Sequence, residues 1–360
     1  MAAPVGETYL VLVYFDTADN NWKARRNDTG ALVPNSSFPD PNGGSTINAA
    51  SSWLSGVGGG MMKFFGKMAT QVPITLQQGT GILGEGFSHT GGFYPRIAAT
   101  STFAPGSALI TLAGGNSRLE RLDVDASGFA DAAVSITGDD CKLRQVSARS
   151  GANNALSLAA SRCEIRDFDC EQDQATPPGT CFLLASGSDN HVFHGRIGGA
   201  GSATDKAVLK VFRSNNRFMG LHITGNGNVF HNTIIRGSRQ WFSGCTFDTV
   251  GKGSGVQVQS GQGHSILDSI AFSDFLDTDN QYPAFEIQGG TCRLVSSECY
   301  VPTAVKRWKF GVVISSNAGN CLVLGCDFRN CVTGAWDTST GFKVPDRHGL
   351  NSLNGINVEP

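Results

Sequence analysis

The chain has 360 residues, 40% hydrophobic and 16% charged, with 46 Gly and a formal net charge of −2. It is long enough to bury an extended core, and its near-neutral balance excludes a general nucleic-acid binder, which needs a basic footprint. No apolar run approaches a membrane span, and the start Met1-Ala-Ala-Pro-Val-Gly-Glu-Thr8 lacks the basic and apolar segments of a secretory signal, which points to action where the chain is made or to another exit route.

Residues 1–44 read as a small β module. Tyr9-Leu-Val-Leu-Val-Tyr-Phe15 and Trp22-Lys-Ala-Arg-Arg26 are expected as strands around an Asn20-Asn21 turn, with a Pro/Ser/Asn/Gly linker over 34–44. Thr46 to Leu54 has the spacing of a short amphipathic helix, with Ser45 or Thr46 as N-cap. Gly58-Gly-Gly60, the strand Met61-Met-Lys-Phe-Phe65, Val72-Pro-Ile-Thr-Leu76 and Gly79-Thr-Gly-Ile-Leu-Gly-Glu-Gly86 follow.

From residue 112 one phrase recurs: an apolar strand, a small polar turn and a second apolar strand. The first apolar residue of the second strand falls at Leu119, Leu143, Ile165, Val192, Phe218, Phe242, Leu267, Leu294 and Val323, with steps of 24, 22, 27, 26, 24, 25, 27 and 29. Inward positions follow three and five residues on, as in Leu122 and Val124, Val146 and Ala148, Phe168 and Cys170, Leu221 and Ile223, Cys245 and Phe247, Ile270 and Phe272, Cys326 and Phe328. The step of two is a strand with alternate faces, and the step of three implies a bend or bulge. Helical solenoids would show spacings of three and four, leucine-rich repeats a fixed Leu/Asn consensus, and propeller blades longer repeats. A right-handed parallel β-helix, all-β, fits the period.

The turn position three before each marker carries Asn116, Asp140, Arg162, Asp189, Asn215 and Arg239, residues that bond turn backbone or face water. One residue on, Cys141 and Cys163 should stack on adjacent coils, as should Cys292 and Cys321. The ten Cys read as small buried residues, reduced rather than paired.

The helix, Gly-Gly, strand, Pro, strand and Gly-x-Gly order over 45–86 resembles the entrance to pectin-lyase-like right-handed β-helices of bacteriophage tail spikes and minor tail proteins. The resemblance covers residues 45–342, leaving 343–360 as a short polar tail. It implies that the 1–44 module attaches to other virion tail proteins. It further implies a homotrimer, a virion location after assembly in the host cytoplasm, contact with host surface polysaccharide, and no membrane insertion.

The strand alternation sets Asp123, Ser147, Asp169, Arg196 and His222 in one outward column and Asp125, Arg149, Glu171 and Gly198 in the next. Asp169 and Glu171 are the candidate catalytic pair: two apart on one face, about 6.5–7 Å by strand rise, near the separation of inverting glycosidases. Arg149, Arg196 and His222 would hold an acidic sugar by charge-assisted hydrogen bonds. Whichever of Trp241, Tyr300, Trp308 and Trp336 are exposed would stack on sugar; Trp241, next to inward Phe242, is expected outward, although a lone aromatic more often serves packing. The same alternation of Asp125, Arg149 and Glu171 equally serves charge neutralisation on an exposed sheet.

Gly138-Asp-Asp-Cys141 is similar to a polygalacturonase string, but Asp140 falls on the turn ladder and the companion motifs are absent. Asp274, Asp277 and Asp279 form a loop cluster of the kind that serves turns more often than calcium. No cofactor is implied and no zinc pattern is present. A tail spike or minor tail protein contacting host glycan is the favoured function. A glycan depolymerase and a secreted polygalacturonase-like enzyme stand as alternatives.

Overall fold

The computed structural model describes residues 9–85, 95–172, 179–199, 207–225, 229–248, 250–273, 276, 281–300, 307–329, 331–337 and 356–358. The protein is a parallel β-solenoid of about 8 turns, with almost no helix. It forms two compact units, Met1–Ala152 with Cys163–Phe168, and Asn153–Arg162 with Asp169–Pro360. Asp274, Asp277, Asp279, Gly86 and Phe342 lie outside the described residues.

In the first unit the inward residues form straight ladders. Met62, Ile82, Leu119 and Leu143 pair coil to coil, and Met68, Ile97, Val124 and Ala148 do the same beside them. All eight are buried. Each large apolar side chain so covered contributes about 1.5–3 kcal/mol. On the other sheet of this unit Ile74, Ile110 and Val134 stack, as do Leu76, Leu112 and Ile136.

The helix runs Gly43–Gly56, longer at both ends than the apolar spacing indicates. Ser45 and Thr46 lie inside it rather than capping it. Asn42 occupies the cap without a side-chain bond to the helix, its Oδ1 accepting from Gln71 Nε2 at 2.7 Å, and the Gly44 N–H donates instead to Thr70 Oγ1 at 3.2 Å. Thr46 Oγ1 donates to the Trp22 carbonyl at 3.0 Å. Ile47, Ala50 and Leu54 share one buried stripe at helical spacing.

The 34–44 linker expectation is corrected, because residues Leu32–Pro39 form a third strand antiparallel to Asn21–Arg26. Asn21–Arg26 pairs antiparallel with Tyr9–Asp16, which pairs in parallel with Gly60–Phe64. The meander therefore continues the solenoid sheet of this unit. At the other end of the chain Ile356–Val358, within the expected tail, pairs in parallel with Thr333–Asp337.

Left-handed residues at two repeated positions explain the spacing. The first is the turn residue of the sequence reading: Asn116, Asp140, Arg162, Asp189, Asn215 and Arg239 have φ of 54–61°. The second stands two after the marker, at Arg121, Gln145, Asp167, His194, Gly220, Gly244, Asp268, Ser296 and Gly325, with φ of 45–63°. One such residue bends the strand so that Leu119 and Leu122 both point inward, which is the origin of the step of three.

This second ladder corrects one register. In the second unit Phe242 pairs with Ile266, and Ile266 with Leu294, so Ile266 rather than Leu267 is the marker of its coil. Ala271 is then inward, while Ile270 and Phe272 face outward, half-buried. Phe218 and Phe242 stack in the core with centroids 4.5 Å apart.

A buried polar ladder runs through the same unit. Asn190 Nδ2 donates to Asn216 Oδ1 at 3.0 Å, and Asn216 Nδ2 to Gln240 Oε1 at 3.2 Å. The Gln240 N–H donates to His264 Nδ1 at 3.4 Å, and His264 Nε2 lies 3.0 Å from the Ser260 carbonyl. In the first unit the same position holds Ser117, Cys141 and Cys163, whose side chains donate to turn carbonyls of Gly114 and Gly138. Eight cysteines are buried and lie outside any disulfide. Burial pushes the Cys245 and Cys326 thiols up to about 11, so they stay protonated at neutral pH. Cys299 is joined to Cys331, a pairing that the ladder positions do not indicate.

Gly187→Ala and Gly244→Ala separate steric from conformational cost. Both glycines are left-handed, but a Cβ on Gly187 would lie 1.8 Å from the Ala160 carbonyl oxygen, whereas one on Gly244 meets nothing within 4 Å. Urea unfolding should show a loss of about 1 kcal/mol for Gly244→Ala and several times that for Gly187→Ala.

Burial holds His264 and His231 below the ordinary histidine value of 6.5. Below that value the unfolded chain binds more protons than the folded one, so stability is complete above 6.5 and declines as pH falls through it. Urea midpoints at about pH 8 and about pH 5.5 should differ accordingly. His264→Gln, a residue type the ladder already accepts at Gln240, should flatten the difference.

Candidate functional site

Arg149 lies in the first unit, in a compact ionic cluster on the outward face. Asp123 and Asp125 are 6% and 8% exposed although they point out of the sheet, because two arginines lie over them. Arg149 Nε and Nη2 donate to Asp123 Oδ1 at 3.1 and 2.8 Å. Arg96 Nη2 donates to Asp125 Oδ2, and Arg96 Nε lies 3.8 Å from Asp123 Oδ2. Asp125 Oδ1 also accepts the Ser127 N–H at 2.7 Å, tying the strand end to its turn. These two carboxylates and two guanidiniums sum to zero charge, the arrangement that neutralisation along the sheet requires.

Arg96 is missing from the sequence expectation because its strand, Arg96–Ala99, precedes the clear copies of the repeat. The signal is weak: an Arg-Ile-Ala-Ala alternation whose register only the pairing Asp123↔Arg96 reveals.

The second unit holds Asp169, Glu171, Arg196, His222 and Trp241. Asp169 and Glu171 alternate with buried Phe168 and Cys170, so both face outward, half-buried. Arg196 Nη2 donates to Glu171 Oε1 at 3.4 Å; their side chains are 50% and 32% exposed. Arg196 is in register with His222, and His222 with Thr246; Gly198, Thr224 and Asp248 form the next column. His222 Nε2 lies 2.9 Å from Asp248 Oδ2 and 3.1 Å from Thr224 Oγ1. Asp248, the carboxylate partner of His222, escapes a sequence reading because it sits 26 residues on, on the following coil.

Trp241 is 45% exposed, with the Arg217 guanidinium 6.0 Å from its ring centroid. It is in register with Arg217 and Ser265, on the strand segment before the left-handed bend, whereas His222 follows the bend. The structure thus joins Arg196 to Glu171 and His222 to Asp248, and places Trp241 with Arg217 instead. Asp140 sits in the left-handed turn position beside the coil of Asn116. Among the described residues no group of three or more His, Cys, Asp or Glu is placed to hold a metal ion.

The two arginines should respond differently to removal. Arg149→Ala leaves the buried Asp123 short of its closest donor, and should lower urea-unfolding stability by about 1–3 kcal/mol. Arg196→Ala breaks an exposed pair, and should change it by less than about 1 kcal/mol.

No protein-family model matches the sequence, and no curated protein does. Solved structures do match. The tailspike of E. coli bacteriophage HK620, determined with a pentasaccharide, is 11% identical with a TM-score of 0.64. That match covers 88% of this chain and 63% of the tailspike, so the chain spans less than two thirds of that protein. The surface adhesin PfbA of Streptococcus pneumoniae is 10% identical with a TM-score of 0.59, covering 82% of this chain and 83% of the adhesin. The A-module of the Azotobacter vinelandii mannuronan C-5 epimerase AlgE4 is 14% identical with a TM-score of 0.52, covering 92% and 98%. At these identities the likeness is one of fold: the chain is built as the right-handed parallel β-helix proteins of phage tailspikes and alginate-modifying enzymes are.

Proposed function

We propose that the protein is a bacteriophage tail spike or minor tail protein that contacts host cell-surface glycan, in a receptor-binding rather than catalytic role. One observation carries this reading: the outward columns of the second unit present hydrogen-bonding groups, exposed at Arg196 and His222 and half-buried at their partners, on successive coils. Arg196 and Glu171 come first, then His222 with Thr224 and Asp248. Sugars are recognised by such rows of charged and neutral donors and acceptors. The likeness to a tailspike solved with a pentasaccharide and to a surface adhesin supports the same use of the fold. Attachment to other tail proteins through residues 1–44, assembly as a homotrimer and a virion location belong to this proposal.

A depolymerase is the second reading, favoured by Asp169 and Glu171 standing two residues apart on one outward face. Against it, Glu171 already accepts a hydrogen bond from Arg196 at 3.4 Å, so it is not free to face a substrate alone.

The test is incubation of the purified chain with bacterial capsule and O-antigen polysaccharides. Binding without release of oligosaccharide is expected, weakened about tenfold by Arg196→Ala or by His222→Ala, the size of one charge-assisted contact. Release of oligosaccharides that Glu171→Gln abolishes would replace receptor binding with depolymerisation.

A further inference from the structure

We infer that the same face continues, beyond His222, into a second subsite that takes an uncharged pyranose. The inference rests on the glycan-binding reading above and specifies one end of that site.

Two outward columns of the second unit lead there without a break. His222, Thr246, Ile270 and Glu298 pair in turn along one, and Thr224, Asp248, Phe272 and Tyr300 along the other. Over four coils the surface changes from hydrogen-bonding to apolar. Phe272 and Tyr300 stack with centroids 5.8 Å apart and planes 19° apart, and Tyr300 is 45% exposed. Ile270 lies beside Phe272 on the same strand and face. From Thr224 to Tyr300 is three strand spacings, about 14 Å. That length admits two or three linked sugar rings, one within reach of His222 and the last against the aromatic pair.

The chemistry of the apolar end selects the sugar. A pyranose has one face of C–H groups and a rim of hydroxyls, which suits an exposed aromatic ledge with polar neighbours. The charged groups beside the ledge are Asp248 before it, exposed Glu298 beside Tyr300, and on the next coil Asp327, in register with Glu298, and Arg329, which stands in register with Tyr300. Asp248 is held by His222 and Asp327 by Arg329, so the two held pairs offset one another and Glu298 sets the sign of the local charge. A uronic or sialic acid would meet like charge here, and a neutral hexose or N-acetylhexosamine would not. An acidic sugar fits instead beside Arg196.

The test uses the full chain and an array of purified bacterial capsule and O-antigen oligosaccharides, some wholly neutral and some containing uronic acids. Tyr300→Leu should weaken binding of the neutral or mixed oligosaccharides about fivefold or more. Tyr300→Phe, which keeps the ring, should recover most of that loss. Saturation-transfer NMR should show the C–H protons of an uncharged residue losing contact in Tyr300→Leu. Glu298→Lys should admit all-uronic oligosaccharides that the unaltered chain refuses. Binding unchanged by Tyr300→Leu but lost in Arg196→Ala would overturn the subsite and leave the glycan-binding face standing. Strong binding of all-uronic oligosaccharides that depends on Tyr300 would overturn the choice of sugar. If the unaltered chain binds nothing on the array, both readings fall together.

Discussion

Within each unit the structure depends on one geometric demand. A coil must bring the chain back beside itself one strand spacing further on, so that backbone donors and acceptors of neighbouring coils meet. Left-handed residues at two repeated positions of the coil meet that demand, and most of those named above are not glycine. Each non-glycine at such a position costs about 1 kcal/mol. The cost is tolerated because the alternative is a missed register, which would leave a whole strand of backbone groups unpaired and turn its apolar face outward. The side-chain ladders then follow from the backbone. Phe218 stacks on Phe242, and Asn190, Asn216, Gln240 and His264 hydrogen-bond in file, because the turns set like positions over one another.

Much of this is legible in the sequence. The repeat, the inward pairs around Leu119 and Leu143, and the turn role of Asp140 all follow from alternation and turn chemistry. Register becomes ambiguous where two apolar residues stand side by side. In His264-Ser-Ile266-Leu267 either Ile266 or Leu267 can serve as marker, and the bend residue of that coil is Asp268 rather than a telltale glycine. One residue of error turns Ile270 and Phe272 inward on paper when the chain turns them out. The helix cap is hidden in the sequence for a related reason. Ser45 and Thr46 look like capping residues, but Thr46 is engaged by the Trp22 carbonyl, a partner 24 residues away.

The candidate site shows the same division. That Asp125 and Arg149 share a column is readable from a period of two, and their register confirms it. The partners that decide what each group does lie a coil away at irregular distance. Arg96 reaches Asp125 across 29 residues, and Asp248 reaches His222 across 26. Two neighbourhoods of opposite character result. In the first unit the carboxylates are covered and neutralised, a surface that is complete in itself. In the second, the arginine and histidine remain open to solvent with hydroxyl and carboxylate groups around them, a surface whose bonds to water can be exchanged for bonds to another polar molecule.

The antiparallel meander at the start of the chain has a consequence for assembly. A parallel solenoid ends in a strand whose free donors and acceptors match those of any other coil, and nothing in the repeat forbids one molecule from adding to the next as a growing fibre. Here Tyr9–Asp16 takes the parallel edge of Gly60–Phe64 and then reverses into Asn21–Arg26 and Leu32–Pro39, while the Gly43–Gly56 helix buries Ile47, Ala50 and Leu54. The outermost strand therefore runs in a different hydrogen-bonding pattern from the coils it would have to extend. Another molecule cannot add to the Leu32–Pro39 edge in the parallel pattern of the coils themselves.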